Sequence, residues 1–161
     1  MSTTGNSGAD PITASIDRLA GDERVRHGLD FLQRDAARTL AEQKALTRIP
    51  APPFKEEARA RFFLGCLSAA GLGDAGFDGE GNVIVKRRGS GGATLVLSAH
   101  IDTVFPEDTD LTITENEGRL YAPGIRDDSR GLAVVLSVAR AFAATKLATA
   151  GDIWFVGTVG E

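Results

Sequence analysis

The sequence predicts an α/β fold: a three-layer αβα sandwich, incomplete in this chain, on a mixed, mainly parallel sheet. Three observations carry that prediction. The runs "TLVLSAH" (94–100) and "DIWFVGTV" (152–159) are near-continuous apolar stretches of strand length, as expected of strands buried on both faces. Between them, "DDSRGLAVVLSVARAFAAT" (127–145) sets Leu132, Val135, Leu136, Ala139 and Phe142 on one helical face. Strand, helix, strand is the βαβ unit, which places the two strands parallel and in one sheet.

The remaining elements follow in order. Residues 1–11, rich in Ser, Thr and Gly, have little to bury and are expected to be a disordered leader, with 12–161 forming the folded portion. From Asp22 to Thr47, Val25, Leu29, Leu32, Ala36 and Leu40 recur at three- and four-residue steps, predicting one amphipathic helix. His27 lies in it without acidic or thiol neighbours at ligand spacing, so it is read as a surface or packing residue. The segment "RIPAPPFKEEARARFFLGCLSAAGLG" (48–73) holds a proline stop and then a second helix. Lys55, Glu56 and Glu57 occupy its first turn, and Gly71 or Gly73 ends it. Short β-branched runs at 83–86 and 94–98 are separated by Gly-rich punctuation, with "GEGN" and "GSGG" at the places hairpin connections would occupy. "GSGG" precedes a strand, whereas a phosphate-cradling loop follows one and opens a helix. A further strand pair is expected around "ENEG" (115–118).

Composition narrows the partners. The chain has 161 residues, a formal net charge of −4 and 42% hydrophobic residues, which suits one domain with a real core. With no basic field and no interleaving of cations with aromatics, nucleic acid is not an expected partner. No run approaches the roughly 18 apolar residues that span a bilayer, and the start lacks the regions of a signal peptide, so a cytoplasmic protein is expected. Cys66 is the single cysteine, in an apolar helical pattern; it reads as a buried thiol in a reducing compartment.

Ligand crevices in open α/β sheets lie at the carboxyl ends of strands. Three clusters fall at such places: His100 with Asp102 after "TLVLSA", Asp127 with Asp128 where the long helix begins, and Glu161 after "IWFVGTVG". A metal-binding imidazole needs its second nitrogen held by an acceptor, and Asp102 is placed to supply one; a strand-end histidine beside a turn-capping aspartate is the plainer alternative. One aspartate of the pair is explained as a helix N-cap. Two adjacent carboxylates repel unless a cation lies near, and a divalent metal is the most economical one, with Arg126 and Arg130 as partial substitutes.

Together, "LSAHIDTVFP", "APGIRDDSRGLAVVL" and "WFVGTVGE", in this order and at these intervals, resemble the catalytic core of the M20 family of zinc-dependent peptidases and amidohydrolases, which includes glutamate carboxypeptidase and peptidase T relatives. The resemblance runs from the helix before "RIPAPPFKEEARA" to Glu161. It implies an amide-bond hydrolase acting on a peptide or N-acyl amino acid, with two zinc ions per site. It implies that His100 ligates zinc while Asp102 orients its ring, and that Asp127 bridges the two ions and is often joined to the next residue by a cis peptide. Glu161 corresponds to the general base. Ser129 and Arg130 stand where many relatives have lysine and glycine, whereas Gly131 fits. The family's second glutamate after the base, its later acidic ligand and histidine, and the lid domain through which relatives dimerise have no counterpart here. The chain is therefore expected to be the amino-terminal part of a longer enzyme, inactive alone. Two alternatives stay open: a non-catalytic partial product or pseudoenzyme of the same fold, and a small-molecule-binding α/β module.

Overall fold

The computed structural model describes residues 10–160. The first nine positions of the expected leader lie outside the described residues. Its end is ordered: Asp10 caps α1 (Pro11–Gly21), accepting from the Thr13 amide, and Pro11 occupies the first turn, where a missing N–H costs no hydrogen bond. The helix expected over 22–47 is two, α2 (Glu23–Arg34) and α3 (Ala36–Thr47), divided at Asp35 alone, whose backbone stays helical. Its predicted apolar face is not the buried one. Leu29 and Leu40 are exposed, whereas Thr39, Glu42, Gln43, Leu46 and Thr47 are buried. The reason is Arg140 of the long helix, which enters this interface and selects carboxylates rather than apolar partners.

Helix α4 (Glu57–Ala69) begins two residues later than expected, so of Lys55, Glu56 and Glu57 only Glu57 lies in its first turn and Glu56 is the residue before it. It is followed by Gly71 at φ 69°, a conformation that glycine adopts without steric cost. Strands β1 (Ala75–Phe77) and β2 (Val83–Arg87) form the hairpin closed by "GEGN". "GSGG" makes no hairpin. It leads from β2 to β3 (Leu95–His100), and the two are separated by the last strand, β6 (Ile153–Thr158), in the order β1-β2-β6-β3. The pair β4 (Thr114–Asn116) and β5 (Arg119–Tyr121) surrounds "ENEG", with Glu117 and Gly118 both at positive φ, as a two-residue hairpin turn requires.

The βαβ unit is present. Helix α5 (Ser129–Thr145) joins β3 to β6, which pair in parallel with Leu97 opposite Phe155 and His100 opposite Thr158. The sheet is α/β and mixed, but not mainly parallel: β1–β2 and β2–β6 are antiparallel and only β3–β6 is parallel. A glycine turn sends β2 back beside β1, and β6 pairs antiparallel with the other edge of β2. Among the described residues the helices cover one face of the sheet. Phe63 and Leu67 of α4 and Leu132, Leu136 and Ala139 of α5 pack with Val83, Val85, Ala99, Ile153 and Phe155 in a single core. On the other face Val96 stays 51% exposed, and Lys86 lies 4.1 Å over the Trp154 ring. The described residues therefore make two of the three predicted layers.

Candidate metal centre

Parallel pairing of β3 with β6 brings the carboxyl ends of both strands to one edge, and α5 starts at that edge. His100 is the last residue of β3. Its Nδ1 lies 3.0 Å from the backbone carbonyl of Asp102, and its Nε2 lies 2.8 Å from Asp127 Oδ1. The expected role of Asp102 is thus filled in a different way: the carbonyl meets the ring at hydrogen-bond distance, while the buried carboxylate stands 3.8 Å from Nδ1.

Those contacts set the chemistry. A carbonyl oxygen only accepts, so Nδ1 carries the hydrogen and Nε2 presents either a lone pair or a second N–H to Asp127. With a lone pair, two acceptors face each other at 2.8 Å and call for a cation or proton between them. The Asp127 side chain is 85% exposed and that of His100 16%, so the carboxylate opens to solvent while the ring is anchored. Both line a cavity of about 370 Å³ with Asp102, Thr103, Phe105, Ala122 and Arg126. The arrangement fits zinc, which takes imidazole nitrogen and carboxylate oxygen at about 2 Å and keeps an open position at catalytic sites. Among the described residues, His100 and Asp127 are the two groups that could donate to it. Among the described residues, no group of three or more His, Cys, Asp and Glu side chains converges on one cation position.

Asp128 does different work from Asp127. One of its oxygens accepts from the Gly131 amide at 2.9 Å, capping α5, and the other accepts from the His100 amide at 3.2 Å. It therefore ties the first turn of α5 to the end of β3. Burial raises its pKa, with the two amide hydrogen bonds opposing that rise. The peptide bond between Asp127 and Asp128 is cis. Glu161 lies outside the described residues; Gly160 is the last one described, two residues beyond the strand position opposite His100.

Two contributors were not singled out from sequence. Gln43 of α3 donates to the Ile125 carbonyl at 2.7 Å and accepts from Arg130, so it holds the loop that carries Asp127. Arg59 of α4 donates to Ile101 beside His100. Each sits on a buried stripe, Gln43 with Thr39 and Thr47, Arg59 with Phe63 and Leu67, and a polar side chain repeating with a core face at four-residue steps was the signal available. His27 is exposed, as expected of a surface residue, but an acidic neighbour is present: Glu23, one turn earlier, lies 3.9 Å from it. Cys66 is half-buried, and burial raises its thiol pKa.

Fold and site define an α/β domain with an imidazole–carboxylate pair at the carboxyl edge of two parallel strands. Residues 96–161 match the model of Peptidase family M20/M25/M40. The resemblance to this family carried by the three motifs is thereby shown over that segment. Among solved structures, the chain is similar to aminoacylhistidine dipeptidase from Vibrio alginolyticus, at 27% identity and TM-score 0.58, covering 76% of this chain and 28% of that one. Aminopeptidase PepT from Bacillus cereus gives 22% identity and TM-score 0.66, covering 78% and 36%. Human carnosine dipeptidase 1 gives 13% and 0.68, covering 83% and 34%; at these last two identities the likeness is one of fold. The chain thus spans 28% to 36% of the length of these three structures. No curated protein sequence matches. Among the described residues no helix is long and apolar enough to cross a membrane.

Proposed function

We propose that this chain carries the site of a metal-dependent hydrolase that cleaves an amide bond in a peptide or N-acyl amino acid, with zinc held in part by His100 and Asp127. One observation carries the reading: an imidazole whose Nδ1 is committed to a carbonyl turns Nε2 onto a solvent-open carboxylate 2.8 Å away. The family match over 96–161 and the dipeptidases among the structural relatives support a peptide as substrate.

Zinc, where bound, lowers the pKa of water and polarises the scissile carbonyl, and a pair of ions would steady both attacking and leaving groups. The chain's own residues do the rest. Asp102 fixes the tautomer of His100 through its carbonyl. Asp127 would supply a carboxylate oxygen to the metal, and Asp128 holds the start of α5 against β3 so that Asp127 stays opposite the ring. Glu161 is the general base: it takes a proton from the attacking water and delivers it to the departing amine. A catalytic zinc takes about three protein ligands and the described residues offer two, so the isolated 161-residue chain is proposed to bind zinc weakly and to be inactive.

Zinc titration of the purified chain tests the reading. One saturable site is expected, weakened at least tenfold in His100→Ala and in Asp127→Ala. Absence of saturable binding, or binding that survives both substitutions, overturns it. In the enzyme to which this site belongs, hydrolysis of dipeptides or N-acyl amino acids should stop on chelation and fall by several orders of magnitude in Glu161→Ala.

A further inference from the structure

We propose that Arg59 is a positioning residue for the metal site, holding His100 and Asp102 through the backbone carbonyl between them. The inference rests on the zinc reading above and adds to it a group outside the site's lining. Arg59 projects from the first turn of α4 and is 1% exposed. Its Nε and Nη2 donate to the Ile49 carbonyl at 2.9 and 2.6 Å, and its Nη1 donates to the Ile101 carbonyl at 3.0 Å. The same two segments are joined again by the Thr103 amide donating to Ala51 at 2.8 Å. Ile101 is fully buried, and its own amide donates to Thr158 of β6 at 2.7 Å. Ile101 is therefore held at both its amide and its carbonyl.

Packing alone does not account for a guanidinium here. Burying a cation is unfavourable relative to burying an apolar side chain of similar size. Burial lowers the Arg59 pKa to about 10, with the nearby Asp102 charge opposing the fall. What a cation adds at this place is a forked donor that sets the Ile101 carbonyl and a positive charge facing the buried Asp102. The Asp102 carbonyl is the group that holds Nδ1 of His100. That carbonyl lies in the 102–103 peptide, one unit beyond the Ile101 carbonyl that Arg59 holds, so loss of the Arg59 bond would let the Asp102 backbone shift, release that hydrogen and turn the Nε2 lone pair from Asp127. Partners of this outer kind are generally worth 10- to 100-fold in metal affinity.

The chain has two histidines, and His27 is exposed and distant in sequence, so imidazole NMR resolves the effect with an internal control. In the metal-free 161-residue chain at pH 8, His100 is expected to carry a hydrogen on Nδ1. In Arg59→Met it shifts toward a mixture with the Nε2–H form, zinc Kd rises at least tenfold, and His27 is unchanged. Arg59→Lys, which keeps the charge and part of the donor set, should recover part of both effects. A folded Arg59→Met chain, by circular dichroism, with wild-type tautomer and wild-type zinc Kd overturns the proposal. Where Arg59→Met does not fold, Arg59→Lys decides: wild-type spectra and affinity in that variant also overturn it. If the wild-type chain binds no zinc but the tautomer still shifts in Arg59→Met, the zinc reading fails while the positioning of His100 by Arg59 stands.

Discussion

At the scale of single residues, the aspartate pair divides its labour by environment. Asp127 is open to solvent, whereas Asp128 is half-buried and accepts from two amides. Asp128→Asn keeps an acceptor for Gly131 and should stay near wild-type stability. Asp128→Ala removes the cap and should cost about 1–2 kcal/mol in urea unfolding. Gly157 of β6 is a second such position. A Cβ there would meet two Phe63 ring carbons at 2.8 Å and Ile101 Cδ1 at 2.9 Å. Gly157→Ala is therefore expected to destabilise by about 1–3 kcal/mol through overpacking and, by pressing on Ile101, to weaken zinc binding beside His100. A variant with unchanged melting temperature would refute the close packing of β6 on α4.

Among the elements, the junction of α2, α3 and α5 is the one the hydrophobic pattern misread. Arg140 donates to Asp35 and to Glu42, and Ser137 and Thr39 also donate to Asp35. Burial alone would raise the Asp35 pKa, but the Arg140, Ser137 and Thr39 hydrogen bonds outweigh it and hold the group below its ordinary value. A carboxylate depressed in the folded state stabilises above its unfolded pKa and loses that contribution as pH falls through its folded one. Unfolding free energy should therefore decline from about pH 4 downward, and Asp35→Asn should flatten that part of the profile. Arg140→Met would leave two buried carboxylates without their cation, at a cost of about 3–5 kcal/mol. The hairpins show the converse. "GEGN" and "ENEG" acted as read because their turn chemistry is local, whereas "GSGG", of equally suitable composition, spans from one side of β6 to the other.

Across the whole molecule, one core joins α4 and α5 to a single face of the sheet. A single cooperative unfolding transition is expected, and Phe63→Ala, at a fully buried position in that core, should lower stability by about 3–5 kcal/mol. The parallel pairing of β3 with β6 sets His100 at the same edge as the start of α5, and the site depends on that arrangement more than on any single contact.

Read by itself, the sequence determined the α5 helix, the strands on either side of it and the placement of His100, Asp102, Asp127 and Asp128 at their ends. These follow from period, capping and strand length, which are properties of neighbours along the chain. Only the tertiary structure decided that β6 lies between β2 and β3, that the Asp102 carbonyl rather than its carboxylate meets Nδ1 at hydrogen-bond distance, and that Arg59, Gln43 and Arg140 are buried. Each of those depends on which groups from distant segments arrive together. A buried polar side chain is stable only beside partners that the linear pattern does not specify.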